Sequence, residues 1–306
     1  MTDIVETSTA ERSTVARRGT TPTRRMLQIA VSRADFRVGF IGFGLLVGLA
    51  IVLPLISPVD PLKMAYSHKF LPPFPAEGWQ WPYVLGTDQL GRDVLMRCLV
   101  GLGYSLLIGA TTVVLMFIVG CSLGLLAGFR GGWVATVIMR LTDAQLSIPM
   151  IILAITILGV SRPTVPAIIL VLGLSGWPLY ARVARSVALG ERGRGYVLGE
   201  RVLGASDLRI MVLFVAPVVL PPIAFVAVLD IARMMIFESI LGFLGLGVQP
   251  PTPTFGNVIA DSRKYLLNAW WIATMPGLFM LVSLTCLNLM GSALERARNA
   301  VLRGDA

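Results

Sequence analysis

The sequence predicts an all-α membrane protein with six spanning helices and both termini in the cytoplasm. Hydrophobic residues make up 55% of the 306-residue chain and charged residues only 14%, well below the roughly 25% that is usual in soluble domains. The apolar residues form long continuous runs, and basic residues collect between alternate runs. The first pattern is typical of helices that cross a bilayer, and the second indicates their orientation.

Each spanning helix requires about 20 mostly apolar residues, and six stretches of the sequence meet this requirement. In chain order they are Val38–Val59, Cys98–Phe129, Gly132–Val160, Pro163–Ala181, Ile210–Phe237 and Tyr265–Leu294. The runs are continuous, whereas the strands of a membrane barrel would alternate apolar and polar residues over about 10 positions. Helices are therefore the predicted spanning elements.

The placement of arginine and lysine predicts which side each loop faces, because basic residues collect on the cytoplasmic side. They outnumber acidic residues before the first run, between the fourth and fifth runs, and after the sixth run, whereas the other two long loops are balanced. With six spans, the three basic segments fall on one side. The predicted organisation is a disordered cytoplasmic tail at 1–35, a transmembrane domain at 36–298, external loops at 57–97 and 238–264, a cytoplasmic loop at 186–209 and a cytoplasmic tail at 299–306.

The cytoplasmic loop 186–209 has the local signals of a short helix followed by a sharp corner. Leu198 and Val202 are four residues apart and share one face of that helix. Gly204 fits the position after a helix end, where a left-handed backbone is needed, and Ser206 suits the cap of the next helix. Such a shape can pass force from a cytoplasmic partner to the fifth span.

Two pairs of opposite charges interrupt the apolar runs. Asp230 and Arg233 are three residues apart in the fifth run, and Arg140 and Asp143 have the same spacing in the third. Residues at this spacing can pair on one helix face. Because intramembrane charges usually face a cavity or a partner, Asp230 and Arg233 are predicted either to line a path and meet a charged substrate, or to pair and lock helix packing or the subunit interface.

Other chemical signatures are weak. Cys98, Cys121 and Cys286 lack disulfide or metal spacing, and His68 has no partner ligands near it in the sequence. The arginines are not interleaved with aromatic residues on a polar face, so nucleic-acid binding is not predicted. The absence of a G-x-x-x-x-G-K-[ST] phosphate loop excludes a self-contained nucleotide-binding domain of that type.

Longer motifs make the interpretation more specific. They are LGTDQLGRDVL from Leu85, GLLAGFRGGW from Gly124, GWPLYAR from Gly176, YVLGERVLGASDLRI from Tyr196, PVVLPP from Pro217, FLGLGVQPPTPTFGN from Phe243 and PGLF from Pro276. On these blocks, the chain from about Val38 to Arg298 resembles the C-type permease subunit of the ATP-binding-cassette (ABC) importers for dipeptides, oligopeptides and nickel.

The resemblance implies a type I ABC importer permease fold in the inner membrane of a bacterial or archaeal cell. It implies a second homologous permease that completes the path, two cytoplasmic ABC ATPases that hold ATP and magnesium, and an extracytoplasmic substrate-binding protein. Asp88 and Asp93 belong to the first of these blocks, where the resemblance implies a structural role, and together with Arg92 they are also candidates for docking that binding protein. The chain itself is expected to be non-catalytic and to bind no cofactor. Peptides are the expected substrate, with nickel chelates, opines and sugars as alternatives.

The same resemblance identifies the cytoplasmic loop as the segment that couples to the ATPases, with a helix at Gly190–Leu203 and a hinge at Gly204. The residues implied in coupling are Tyr196, Val197, Leu198, Gly199, Glu200, Arg201, Leu203, Gly204, Ala205, Ser206 and Asp207. The family usually has Glu-Ala-Ala where this sequence has Leu-Gly-Glu, so the acidic residue is displaced within the helix.

A stand-alone secondary transporter is the main alternative. It would show inverted repeats and broken helices without a partner-docking loop, and the coupling segment argues against it. A membrane enzyme would need carboxylates, histidines or a nucleophile clustered at one membrane depth. The acidic residues of the external loop show no such pattern.

Overall fold

The computed structural model describes residues 22–303, and the regular structure in this range is helical. The helices are α1 (Pro22–Ser32), α2 (Ala34–Ile56), α3 (Val94–Arg130), α4 (Gly132–Leu146), α5 (Met150–Val160), α6 (Val165–Arg192), α7 (Gly195–Val202), α8 (Asp207–Ile210), α9 (Ala216–Phe243), α10 (Phe255–Ser262) and α11 (Trp271–Arg303). Short 3-10 turns occupy Tyr66–His68 and Arg263–Tyr265, and a π-helical turn at Met211–Val215 joins α8 to α9.

Four of these helices, α2, α3, α6 and α11, are each long and apolar enough to cross a bilayer. Two further stretches reach that length only as bent pairs. Helices α4 and α5 meet at 81°, and the segments Asp207–Pro221 and Ile223–Phe243 meet at 53°. The described chain therefore has four to six candidate spans, depending on whether each bent pair counts as one.

Helices α3 and α6 pack closely because small residues line their contact. Gly120, Gly124 and Gly128 are four residues apart on α3 and face α6 on one side. A Cβ atom on Gly128 would lie 2.7 Å from the Cβ of Ala188 and 2.8 Å from the carbonyl oxygen of Arg185. Only glycine allows the two backbones to approach this far, as at other helix contacts inside membranes.

Helix α11 packs against α2, α9 and α1. The backbone of α2 approaches α11 at Gly39, where a Cβ atom would lie 2.7 Å from the carbonyl oxygen of Cys286. The opposite side of α2 carries exposed apolar side chains, including Ile41, Leu45 and Leu55. This helix thus has one side against protein and another side suited to lipid.

The predicted disorder of residues 1–35 is wrong for residues 22–32, which form α1. This helix is amphipathic, and its Met26 and Ala30 are buried, with Ala30 in one apolar cluster with Leu294 and Ala297 of α11. Packing against α11 stabilises this segment as a helix, which its composition did not predict. Residues 1–21 of the predicted tail lie outside the described residues.

Several predicted boundaries also require correction. The third apolar run is two helices, because Pro149 lacks the N–H group that would continue α4. The fourth run continues as helix α6 to Arg192, so the start of the predicted loop 186–209 is helical. Likewise, α9 extends to Phe243, so the start of the predicted external loop 238–264 is helical too. Polar residues therefore occupy the ends of these candidate spanning helices.

Candidate coupling surface and buried charges

The predicted coupling helix begins later than expected. Helix α6 continues through Glu191, which is buried, and the chain then turns where the backbone N–H of Arg194 donates to the carbonyl oxygen of Glu191 at 3.0 Å. Arg194 has an extended backbone and precedes α7, which starts at Gly195. The predicted coupling segment thus contains a separate eight-residue helix and not the continuous Gly190–Leu203 helix that the sequence predicts.

The predicted corner at Gly204 is confirmed. Its φ of 84° lies in the left-handed region that favours glycine. The N–H of Gly204 donates to the carbonyl oxygen of Arg201, and the N–H of Ala205 donates to that of Glu200, both at 3.0 Å. These two hydrogen bonds form a Schellman motif, which satisfies the last carbonyl groups of α7.

The predicted cap of the next helix is also present. The hydroxyl of Ser206 accepts a hydrogen bond from the backbone N–H of Arg209 at 3.4 Å, at the start of α8. Asp207 follows in the first turn, where its negative charge favours the positive end of the helix. The chain therefore passes from the corner directly into the bent helix that contains α9.

Helix α7 has one buried side chain and an exposed apolar face. Val197 is fully buried and joins the main core between α3, α6 and α9. Leu198 is half-exposed, whereas Val202 and Leu203 are 88% and 81% exposed. Within residues 22–303, a Cβ atom added at Gly199 would meet no other group within 4 Å, so this side of α7 is open. Contiguous exposed apolar residues of this kind indicate an interaction surface.

Polar contacts connect α7 to the membrane helices. The guanidinium of Arg201 lies 5.3 Å from the centre of the Phe129 ring at the end of α3. The same side chain forms a 3.3 Å ion pair with Asp207 at the start of α8. Arg201 therefore contacts both the end of one candidate span and the beginning of another, so a displacement of α7 acts on both.

Tyr196 joins the start of α7 to the end of α6. Its hydroxyl donates to a carboxylate oxygen of Glu191 at 2.8 Å, and Glu191 also pairs with Arg194 at 3.3 Å. Burial, followed by this hydrogen bond to Glu191, raises the pKa of Tyr196 to about 12. The phenol is therefore protonated at neutral pH and remains a hydrogen-bond donor.

The predicted pairing of Asp230 and Arg233 is present. Asp230 is fully buried, and one of its oxygens lies 3.1 Å from the guanidinium of Arg233 on the next turn of α9. Its other oxygen accepts a hydrogen bond from the hydroxyl of Tyr180 on α6 at 2.7 Å. Asp230 thus joins α6 to α9, while the side chain of Arg233 is 53% exposed.

The analogous pairing of Arg140 with Asp143 is not formed. Asp143 instead lies 2.6 Å from the guanidinium of Arg182 on α6. Both members of this ion pair are about half exposed, so its contribution to stability is small. Spacing on one helix could not distinguish a partner on the same helix from one on a neighbouring helix.

The external-loop residues Asp88, Arg92 and Asp93 form a buried structure and not an exposed docking surface. Asp88 accepts hydrogen bonds from the backbone of Leu90 and Arg92, and one of its oxygens lies 2.6 Å from the side chain of Arg92. Arg97 lies 3.6 Å from the same carboxylate. All three predicted docking residues are buried in the isolated chain, where they hold the external loop together, and their contact with a binding protein stays a prediction.

Asp93 caps the start of α3 and accepts the backbone N–H of Met96 at 2.7 Å. Burial raises its pKa to about 6, against the opposing effect of the backbone hydrogen bonds. Asp261 of α10 lies 3.7 Å from both Arg92 and Arg97, which extends the charge network to the second external segment. Burial likewise raises the pKa of Asp261.

Two buried polar residues, Glu238 and Tyr180, were not predicted from the sequence. Glu238 is fully buried on α9 and accepts a hydrogen bond from the hydroxyl of Ser105 on α3 at 2.8 Å. That hydroxyl also accepts the backbone N–H of Phe255 at 3.4 Å. Tyr180, the partner of Asp230, lies within the GWPLYAR block. An isolated hydroxyl or carboxylate at the end of an apolar run is the signal that would have identified both.

Comparison with known families and relatives agrees with this architecture. The family described as "Binding-protein-dependent transport system inner membrane component" matches residues 120–299. The di/tripeptide transport system permease protein DppC of Pseudomonas aeruginosa is 39% identical, over 86% of both chains. The dipeptide transport system permease protein DppC of Escherichia coli is 37% identical, over 87% of this chain and 89% of its own.

A solved structure shares the fold. A chain from inward-facing conformations of the MetNI methionine ABC transporter superposes with a TM-score of 0.52 at 19% identity. The match covers 68% of the present chain and 96% of that chain. At this identity the match describes the fold alone.

Proposed function

The chain belongs to the family of binding-protein-dependent transport system inner membrane components, and we propose that it imports short peptides as one half of an ABC importer's path. It is a permease subunit in the inner membrane. Relatives that are 35–39% identical over most of their length carry the name of dipeptide or di/tripeptide transport permeases. Nickel chelates, opines and sugars are alternative substrates within the resemblance.

The proposed topology has six spans with both termini in the cytoplasm. Helices α2, α3, α6 and α11 supply four spans, and each bent pair supplies one more. In this arrangement α7 and its flanking arginines lie on the cytoplasmic side, in agreement with the positive-inside rule. A second homologous permease completes the path, and a binding protein delivers the substrate.

The single observation that supports coupling best is the exposed apolar face of α7. Val202 and Leu203 are the most exposed apolar residues of this segment, and little of the chain within residues 22–303 covers them. In the proposed assembly, a cytoplasmic ABC ATPase covers this face and holds ATP and magnesium on its own chain. The face is formed by Leu198, Val202 and Leu203, so the contact does not depend on an acidic residue at the usual Glu-Ala-Ala position.

For the transport path, the favoured candidate is Arg233. Asp230 is buried between α6 and α9, so its role is to hold these helices together and to orient Arg233. The exposed guanidinium of Arg233 can pair with the carboxylate terminus of a peptide, or with the second permease. A lower KM for dipeptides than for their C-terminal amides, lost in Arg233→Gln, would support the first role.

For docking of the binding protein, the candidates become the exposed aromatic side chains of residues 57–93. Phe74 and Trp81 are exposed on this loop, and large aromatic residues are enriched at protein interfaces. The buried Asp88–Arg92 network stabilises the fold of this loop. A Trp81→Ala variant is therefore expected to weaken stimulation by the binding protein more than a change at exposed Glu77.

The direct test is purification of the tagged chain from native membranes in mild detergent, followed by mass spectrometry and assays of ATP hydrolysis and peptide uptake. Recovery of a second permease and of ATPases with a G-x-x-x-x-G-K-[ST] motif, with activity stimulated by a binding protein and a dipeptide, supports the proposal. Uptake by the chain alone in liposomes without ATP would instead support a secondary transporter.

A further inference from the structure

An arginine-lined cleft lies where α3, α4, α6 and α7 meet. It has a volume of about 340 Å³, and its lining includes Arg130, Arg192, Arg201 and Asp207. Three guanidinium groups therefore face one space that contains a single carboxylate. Asp207 is already paired with Arg201 at 3.3 Å. Within residues 22–303, neither Arg130 nor Arg192 forms an ion pair, so the cleft has uncompensated positive charge.

The geometry keeps these positive groups together. The guanidinium of Arg192 reaches the carbonyl oxygen of Arg130 at 3.5 Å, across the end of α3. Gly131 and Gly132 have φ values of 69° and 54°, so the chain turns sharply from α3 into α4 beside the arginines. Arg201 lies over the Phe129 ring. A backbone contact thus holds Arg192 in place without an acidic partner, whereas an aromatic contact and the Asp207 ion pair hold Arg201.

An exposed apolar stripe leads away from the mouth of this cleft. Trp133, which also lines the cleft, is 77% exposed, and Val137 and Leu141 are exposed at intervals of four residues along α4. Side chains at this spacing share one helix face. Tryptophan is enriched at the membrane–water boundary, and the stripe continues from it toward the interior of the predicted third span.

We propose that this cleft binds an anionic phospholipid, with the phosphate between Arg130 and Arg192 and an acyl chain along the Trp133–Leu141 stripe. Arginine binds phosphate oxygens through charge-assisted hydrogen bonds, and basic pockets between membrane helices on the cytoplasmic side suit anionic headgroups. A free phosphate would use the arginines but not the stripe, and an acidic side chain of an ATPase would not reach along α4. The assignment of the leaflet rests on the proposed topology.

The consequence concerns the coupling segment. Because Arg201 is on α7 and also lines the cleft, a bound headgroup would link α7 to the ends of α3 and α6. The lipid would therefore stiffen the connection between the coupling helix and the membrane helices. Importers in bilayers without anionic lipid are expected to hydrolyse ATP with less uptake per ATP.

Lipid retention tests the site without relying on transport. The purified complex is exchanged into micelles with equal amounts of phosphatidylglycerol and phosphatidylcholine, and retained lipid is counted by native mass spectrometry. Arg130→Gln/Arg192→Gln should retain about tenfold less phosphatidylglycerol, whereas Arg25→Gln/Arg209→Gln, which removes the same charge from exposed cytoplasmic positions, should retain nearly the wild-type amount. Equal retention in the two variants would overturn the proposal.

Two measurements on the unmodified complex test the site even if the variants fail to fold. A photoactivatable phosphatidylglycerol should cross-link to the peptide that contains residues 133–141, and cross-links confined to other segments would contradict the site. Soluble glycerol phosphate should compete poorly. Competition as strong as that of the lipid would assign the cleft to a free phosphate, and loss of the ATPase from the double variant with lipid retained would assign it to an acidic partner.

These outcomes are separate from those of the proposed function. Recovery of the chain without ATPases would reject the importer proposal but would leave the lipid measurement interpretable. Conversely, a fully active importer that shows no phosphatidylglycerol preference would reject the lipid site alone.

Discussion

The two ends of this protein use polar and apolar residues in opposite ways. Before α3 and in its first turn, Asp88, Arg92 and Arg97 are buried and hold the chain together. In α7, Arg201 lies at the surface, and Val202 and the following Leu203 are largely exposed. Chemical type alone therefore does not predict which residues meet a partner. The exposure of a side chain must also be known, and the exposed apolar residues Val202 and Leu203 form a surface that a partner can cover.

The largest expected effect is on the buried charges. Asp88→Ala would leave Arg92 and Arg97 buried beside each other, with only the partly exposed carboxylate of Asp261, 3.7 Å from each, as an acidic neighbour. Loss of one partner of a buried ion pair costs about 3–5 kcal/mol. We expect a marked fall in the melting temperature of the purified complex in detergent. Glu77→Ala, an exposed change in the same loop, should alter stability by less than about 0.5 kcal/mol; equal shifts would refute the contrast.

Asp93 provides a second test of the buried charges, because its contribution to folding stability depends on pH. Because its pKa is raised from 3.8 to about 6, the folded protein holds this proton more tightly than the unfolded chain. Its contribution to stability is therefore fully present below about pH 4 and is lost as pH rises to about 6. Asn also caps helices well. Asp93→Asn should thus gain stability relative to wild type over this interval, by up to about 3 kcal/mol.

Melting temperatures of wild type and Asp93→Asn between pH 4 and pH 7 provide the measurement. Only the difference between the two proteins is informative, since other groups titrate in both. A difference that stays constant with pH, or that falls as pH rises, would show that burial of Asp93 does not carry this cost.

Around α7, a substitution on the exposed apolar face should reduce partner binding but not stability, whereas a substitution in the core should reduce stability. Val202→Asp is expected to leave the melting temperature of the isolated chain unchanged but to reduce ATPase recovery by about 30-fold, the effect of losing an interface hot spot of about 2 kcal/mol. Val197→Ala, in the core, should instead cost about 2 kcal/mol of stability. Quantitative pull-down and thermal melting of both variants check this. Reduced stability without reduced ATPase binding in Val202→Asp would reverse the assignment.

The smallest expected effect compares two glycines of the coupling segment. Gly204→Ala should cost about 1 kcal/mol, because alanine is strained at a φ of 84°. Among residues 22–303, no neighbouring atom lies within 4 Å of the Cβ position at either glycine, so the backbone alone sets the result. Gly199→Ala, inside α7, should stabilise the helix by up to about 1 kcal/mol. Hydrogen exchange of α7 should slow in Gly199→Ala and quicken in Gly204→Ala.

Whether the sequence could predict a feature depends on how far apart in the sequence the contacting residues lie. The corner at Gly204 and the cap at Ser206 follow from local backbone rules, and both are confirmed. The i,i+3 pairing of Asp230 and Arg233 is local as well. Contacts between helices, such as Tyr180 with Asp230 or Arg182 with Asp143, join residues far apart in sequence, and no local rule identifies them.

The same reasoning explains the errors. Composition suggested disorder before residue 36, because the packing of α1 on α11 involves residues far apart in the sequence. A single sequence also does not report burial, so it could not predict the buried network of Asp88, Arg92 and Asp93. The small-residue pattern at Gly120, Gly124 and Gly128 was present in the sequence and could have predicted the close approach of α3 to α6.

The most direct test of the account is site-specific cross-linking from α7 in the assembled importer. A photoreactive residue is placed at Val202, with the buried position Val197 as a matched control. If α7 docks on the ATPase, position 202 cross-links to the ATPase with a yield that changes with ATP, whereas position 197 gives little or no cross-link. An uncross-linked position 202 in an assembly that hydrolyses ATP and imports peptide would contradict the claim that this exposed apolar face couples the permease to its ATPase.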